Sequence, residues 1–188
     1  MHMTEKNKYR LLGIDPGTNV LGYGIVEVEN RQLTLVALGV ITMQHLEEQQ
    51  LKLKKIFEGV QSLIKQYGPE EMAIEAPFYA KNVQSMLKLG RAQGVAIAAA
   101  ITMGVEITEY SPKKIKQSVT GNGNAAKEQV AAMLETIFKT KLDEKYLDAT
   151  DALATAVCHF YQSKSLPGGG KKVKDWAAFV KENPSKKL

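Results

Sequence analysis

A single cysteine in 188 residues excludes an intrachain disulfide and any cysteine-rich metal site. Cys158 stands in the apolar run Ala-Thr-Ala-Val-Cys-His-Phe, where a small buried hydrophobe is its expected role, and such sparing use of cysteine fits a reducing cytoplasm. Long apolar runs are also missing. Ile97 to Met103 comes nearest to one and is too short for a membrane span, and the polar stretch Met1 to Arg10 has no apolar signal-peptide core. The expectation is a soluble, cytoplasmic protein. No internal repeat is present, which sets aside the solenoid and propeller architectures.

What the chain does have is enough apolar residue, 44%, to bury one sizeable core, at a length short for two domains. Lys and Arg number 25 against 20 Asp and Glu. The resulting net charge of +5 favours association with a polyanion, although a merely soluble basic surface explains it equally well.

The hydrophobic pattern predicts two strands, Tyr9 to Asp15 and Val20 to Val28, joined tightly through Gly17 and Asn19. A third strand, Leu33 to Met43, follows the Glu29-Asn30-Arg31-Gln32 turn and completes an antiparallel meander. Leu46 to Tyr67 repeats its apolar residues at three and four, as an amphipathic helix does, and stops at Gly68-Pro69. Met72 to Ala76 is a short buried strand before Pro77. Asn82 to Met103 reads as a long alanine-rich helix suited to close packing on a sheet or a second subunit, and Val105 to Glu109 as a strand. Ser111-Pro112 starts a basic helix that Gly121-Asn122-Gly123-Asn124 breaks, and Lys127 to Phe138 and Leu147 to Tyr161 are the last core helices. Beyond Tyr161 the composition turns to Ser, Lys, Pro and Gly, the pattern of a flexible linker, with Trp176 to Val180 as a short docking helix. Strands alternating with helices after a meander make a mixed α/β sheet.

Four acids interrupt this pattern. Asp15 ends the first strand in Gly-Ile-Asp-Pro-Gly, and Glu75 ends another in Ala-Ile-Glu-Ala-Pro, so neighbouring strands would deliver both carboxylates to one sheet edge. Asp-Pro-Gly is also ordinary turn chemistry. Asp148 and Asp151 lie three apart in Leu-Asp-Ala-Thr-Asp-Ala-Leu-Ala and share a helix face. Helix-dipole compensation accounts for Asp148 and less well for Asp151. Four clustered acids repel unless cations compensate, and a hard divalent ion with oxygen ligands, magnesium first, is the natural partner.

These motifs, with Phe-Tyr-Ala-Lys-Asn after Glu75, Leu-Gly-Arg-Ala-Gln-Gly-Val at 89–95 and Ser-Pro-Lys-Lys-Ile-Lys-Gln at 111–117, resemble the RuvC family of Holliday junction resolvases from about Tyr9 to Tyr161. The resemblance implies a ribonuclease H-like domain over 9–163, a five-stranded mixed sheet flanked by helices, between a disordered extension at 1–8 and a flexible basic tail at 164–188. It implies a homodimer that nicks two symmetric strands of a four-way DNA junction in recombination and repair, leaving 5′-phosphate and 3′-hydroxyl ends. It further implies partnership with the RuvA-RuvB branch-migration complex.

By the same resemblance, Asp15, Glu75, Asp148 and Asp151 are the catalytic metal ligands. They would hold two Mg2+ ions about 3.5–4 Å apart, with Mn2+ able to substitute. Some family members carry histidine at the Asp148 position, so the division of labour between Asp148 and Asp151 stays open. Phe78 is the family's base-stacking aromatic, worth about 1–3 kcal/mol per base, and is joined in the DNA-binding set by Tyr79, Lys81, Lys113, Lys114, Lys116 and Lys127. Lys116 and Lys127 match basic positions beside the active site. His45 and His159 are expected in loop and core roles. Two other readings are a ribonuclease H-like nuclease acting on another nucleic acid and a catalytically silent junction-binding module.

Overall fold

The computed structural model describes residues 8–77, 82–142 and 147–164. Strands β1 (Lys8–Asp15), β2 (Val20–Glu29) and β3 (Gln32–Thr42) form the meander. Helix α1 (Gln49–Tyr67), strand β4 (Glu71–Glu75), helix α2 (Val83–Ile101) and strand β5 (Glu106–Tyr110) follow. Helices α3 (Pro112–Thr120), α4 (Lys127–Phe138) and α5 (Leu147–Lys164) complete the fold. The sheet order is β3-β2-β1-β4-β5, antiparallel within the meander and parallel from β1 to β4 and β4 to β5. This is the expected five-stranded mixed sheet.

Local chemistry explains the joints. Asn30 and Arg31 both take positive φ, 50° and 64°, as a two-residue hairpin turn matched to strand twist requires. Helix α1 stops at Gly68, in left-handed conformation, whose N–H bonds the Ile64 carbonyl at 2.9 Å. It starts three residues later than its apolar pattern suggests, because Leu46 turns back on Met43 and packs into the core. Asn82 and Ser111 cap α2 and α3 through their side chains.

Strand periodicity divides the apolar residues between two cores. Leu12, Ile14, Leu21, Ile25, Met72 and Ile74 face α1 and α2. On the opposite face, Leu11, Val26 and Val28 meet Ile115, Val130, Leu134, Val157 and other residues of α3, α4 and α5. Residues 152–160 are all buried, so α5 is enclosed by sheet and helices. Among the described residues no helix is long and apolar enough to cross a membrane.

Candidate active site

The strand register aims the acids. Leu11, Gly13 and Asp15 alternate with Leu12 and Ile14, so Asp15 shares the face that carries α5. Ile14 pairs with Ile74 in the parallel β1–β4 ladder, which sets Asp15 and Glu75 one residue further along both strands, on that same face. Two carboxylates therefore leave the sheet side by side. Glycine opposes Asp15 on the other side, at Gly22 of β2.

Helix α5 supplies the other pair, and it can do so because the sheet beneath it is bare. A methyl group at Gly13 would lie 2.1 Å from the Ala152 carbonyl oxygen, one at Gly22 2.0 Å from that of Asp148, and one at Gly24 2.8 Å from the Leu153 Cα. No larger residue fits at any of the three. The helix rests its backbone almost directly on β1 and β2, and its first two turns overhang the strand ends. Carboxylate oxygens of Asp15, Asp148 and Asp151 consequently lie within 4.8 Å of one another, with all three residues partly buried. Glu75 stands at the rim of this set, close enough for its charge to act on Asp15 and for that of Asp151 to act on Glu75.

The electrostatics register the crowding. Burial, then Glu75, Asp151 and Asp148, push the Asp15 carboxyl up to about 8. Burial and the Asp151 charge raise Glu75 to about 7. Two lysines oppose them. Lys127, the first residue of α4, forms an ion pair with Asp151, and Lys116 lies near enough to lower Glu75. Burial works against the Lys127 charge, but its hydrogen bond to Asp151 and the attraction of Asp151, Asp15 and Asp148 prevail, and its pKa is raised. An all-oxygen set of converging, partly desolvated carboxylates fits a hard divalent cation.

The remaining residues singled out in the sequence fall in different places. Lys113 and Lys114 are exposed on the first turn of α3. Phe78, Tyr79 and Lys81 lie outside the described residues, as do residues 165–188 with the Trp176 to Val180 segment, while Lys164, expected to open the tail, is the last residue of α5. His45 is exposed in the loop before α1. His159 is buried in α5, where Nδ1 and the Tyr110 hydroxyl are 2.9 Å apart and Nε2 meets the Glu71 carboxylate. Eight residues of helix separate it from Asp151, about 12 Å of rise, which removes it from the acids. Sequence reasoning passed over Gly13, Gly22 and Gly24, although glycine inside a strand is itself a mark of close backbone approach. It also passed over Gln93, a buried amide that donates to Glu109 at 2.7 Å and approaches the Glu75 carbonyl at 3.5 Å.

A five-stranded mixed sheet with helices on both faces and a carboxylate cluster at the strand ends is the architecture of the ribonuclease H-like class, whose donor set suits divalent-metal chemistry on phosphodiesters. Residues 11–159 match the sequence model of the family described as crossover junction endodeoxyribonuclease RuvC. The crossover junction endodeoxyribonuclease RuvC of Cytophaga hutchinsonii is 60% identical over 94% of this chain and 86% of its own. That of Christiangramia forsetii is 53% identical over 96% and 94%. Among solved structures, Thermus thermophilus RuvC in complex with a Holliday junction substrate superposes with a TM-score of 0.77 at 31% identity, covering 83% of this chain and 95% of that one. The chain belongs to the RuvC family of crossover junction endodeoxyribonucleases, and it is a nuclease.

Proposed function

We propose that the chain resolves Holliday junctions in recombination and repair, with Asp15, Glu75, Asp148 and Asp151 as the ligands of two magnesium ions, which manganese can replace. The observation that carries this reading is the convergence of acids from β1 and α5 over the bare glycines of the sheet, with Glu75 of β4 near enough to act on them. Divalent ions bound there would supply an activated water and charge stabilisation for the leaving oxygen, giving 5′-phosphate and 3′-hydroxyl ends. The chain's own part is to hold the acids in register, to set Lys116 and Lys127 beside them, and to exclude water from beneath by the contact between α5 and the strands. Lys113 and Lys114 add phosphate contacts at the head of α3, and Phe78, Tyr79 and Lys81 are assigned to the DNA from their place after Glu75.

Nicking two symmetric strands calls for two sites, and a homodimer supplies them. An apolar stripe on α2 supports it: Val83, Leu87 and Ile101 are 60%, 50% and 62% exposed, and open space surrounds Gly90 and Gly94 between them. Partnership with RuvA-RuvB and a cytoplasmic location belong to the same reading.

The test is magnesium-dependent cutting of a synthetic four-way junction, set beside linear duplex and an RNA–DNA hybrid, with Asp15→Asn and Glu75→Gln as controls. Junction cutting that both substitutions abolish is expected. Preference for the hybrid, or cutting that survives Asp15→Asn, would overturn the assignment.

A further inference from the structure

Between α3 and α4 the chain runs for six residues, Gly121 to Ala126, without helix or strand. That stretch lies between the two cations that act on the acids, Lys116 in the middle of α3 and Lys127 at the start of α4. A connection so rich in glycine and asparagine has much conformational freedom to lose, and unless it were held, the spacing of the two ammonium groups would be free to drift.

It is held at nearly every bend. The Gln117 side-chain amide donates from Nε2 to the Gly121 carbonyl at 2.6 Å and accepts at Oε1 from the Gly123 N–H at 3.0 Å. One amide thus closes both arms of the turn, much as a neighbouring peptide group would. The Thr120 hydroxyl donates to the Lys116 carbonyl at 2.9 Å and accepts from the Asn122 N–H at 3.1 Å, while Asn122 Oδ1 accepts from the Asn124 N–H at 3.0 Å. Gly123 packs on the Lys113 side chain, where a methyl would come within 2.8 Å of Cγ. Buried Ala125 then plugs the connection into the core, and Gln129 Oε1 accepts from the Ala126 N–H at 2.9 Å, fixing the first turn of α4.

We propose that Gln117 is a positioning residue for strand cutting: by clamping the turn at Gly121 and Gly123, it fixes Lys127 against Asp151 at a set distance from Lys116. This rests on reading the acid cluster as the cutting site. Gln117 is exposed and its bonds are open to solvent, so the clamp contributes little to global stability and acts chiefly on geometry. Phosphoryl chemistry is sensitive to such geometry, since a displacement of about 1 Å can cost about 100-fold in rate.

The experiment compares single-turnover cutting of a four-way junction, in magnesium and at saturating protein, by the full chain and three variants. Gln117→Met keeps length and loses both hydrogen bonds. It should cut about 10- to 100-fold slower while its melting temperature and its junction affinity in EDTA stay near those of the unaltered chain. Gln117→Glu, which keeps the acceptor for Gly123 and loses the donor for Gly121, should fall between. Lys127→Ala should be slow, and adding Gln117→Met to it should slow it no further, because both changes act on one ammonium group. Rate losses that multiply, a Gln117→Met variant that cuts normally, or losses that follow a fall in melting temperature in both Gln117 variants would overturn the clamp. Normal cutting by Lys127→Ala would overturn it as well. Failure of the unaltered chain to cut the junction would overturn the functional reading beneath it, and is told apart from failure of the clamp by that control.

Discussion

Gly22 of β2 lies so close under the first turn of α5 that a methyl group on it would sit 2.0 Å from the Asp148 carbonyl oxygen. Since that oxygen belongs to the helix backbone, no side-chain rotation relieves the clash. Gly22→Ala should lift the start of α5, and with it Asp148 and Asp151, away from Asp15. Overpacking of this kind costs about 1–3 kcal/mol, which urea unfolding would report. Junction cutting should fall further than stability does, because the acids lose their common focus. A variant with full activity at an unchanged urea midpoint would contradict the packing described.

Asp15 and Glu75 carry the electrostatic cost of the cluster. Their carboxyls are raised from ordinary values of 3.8 and 4.5 to about 8 and about 7, so the folded, metal-free chain holds protons there that the unfolded chain has released. Stability should therefore fall as pH rises, from about 4 through about 8 for Asp15 and from about 4.5 through about 7 for Glu75. Melting temperatures in EDTA across that range would show the decline. Asp15→Asn removes the most strained charge and should flatten it, stabilising the metal-free protein by about 0.5–2 kcal/mol while abolishing cutting. Junction binding should persist, because the lysines are untouched. Stability that rises with pH over the same window would count against the cluster.

The acids are legible in the sequence for a physical reason. Asp15 and Glu75 each follow a short apolar stretch, Leu11 to Ile14 and Met72 to Ile74, and Asp148 and Asp151 fall on one face of a helix whose neighbouring Ala149, Ala152 and Ala156 are small and buried. Strand and helix positions follow from periodicity with shifts of a few residues, as at the start of α1, where Leu46 joins the core instead of the helix. What hydropathy misses is contact that carries no hydrophobic signal. Gly13, Gly22 and Gly24 matter for the side chain they lack, and Gln93 and Gln117 matter through amides whose partners lie in other segments or across a turn. The three-body contact of Glu71, His159 and Tyr110 is likewise invisible in sequence, since 88 residues separate Glu71 from His159.

That contact permits a prediction in which stability and activity part company. The hydrogen bond with His159 holds the Glu71 carboxyl below its ordinary value, against a smaller opposing effect of burial. A depressed carboxyl stabilises the fold above its unfolded pKa of 4.5, and that contribution is lost as pH falls through the lower folded value. Glu71→Ala leaves Nε2 of the buried His159 without its carboxylate while Nδ1 keeps Tyr110, at a cost of about 1–3 kcal/mol near neutral pH. The deficit should shrink in acid. Cutting per folded molecule should be unchanged, because the contact stands about 12 Å along α5 from Asp151. A specific loss of rate with no loss of stability would instead make His159 part of the cutting machinery.

The α2 stripe yields the last expectation. Leu87, half exposed, lies one turn from Val83 on the same side of the helix, and Gly90 and Gly94 continue that side with no side chain to hold a partner away. If two copies meet there, Leu87→Glu places like charges against each other in a desolvated seam, an arrangement that disfavours association strongly. Light scattering should then report a monomer where the unaltered chain gives a dimer. The fold should survive, since Leu87 is not part of either core. The monomer should keep its acid cluster and its metal-binding midpoint, yet lose paired nicking of the junction, because one site can reach only one of the two strands at a time. A Leu87→Glu protein that remains dimeric would move the interface to another face of the molecule.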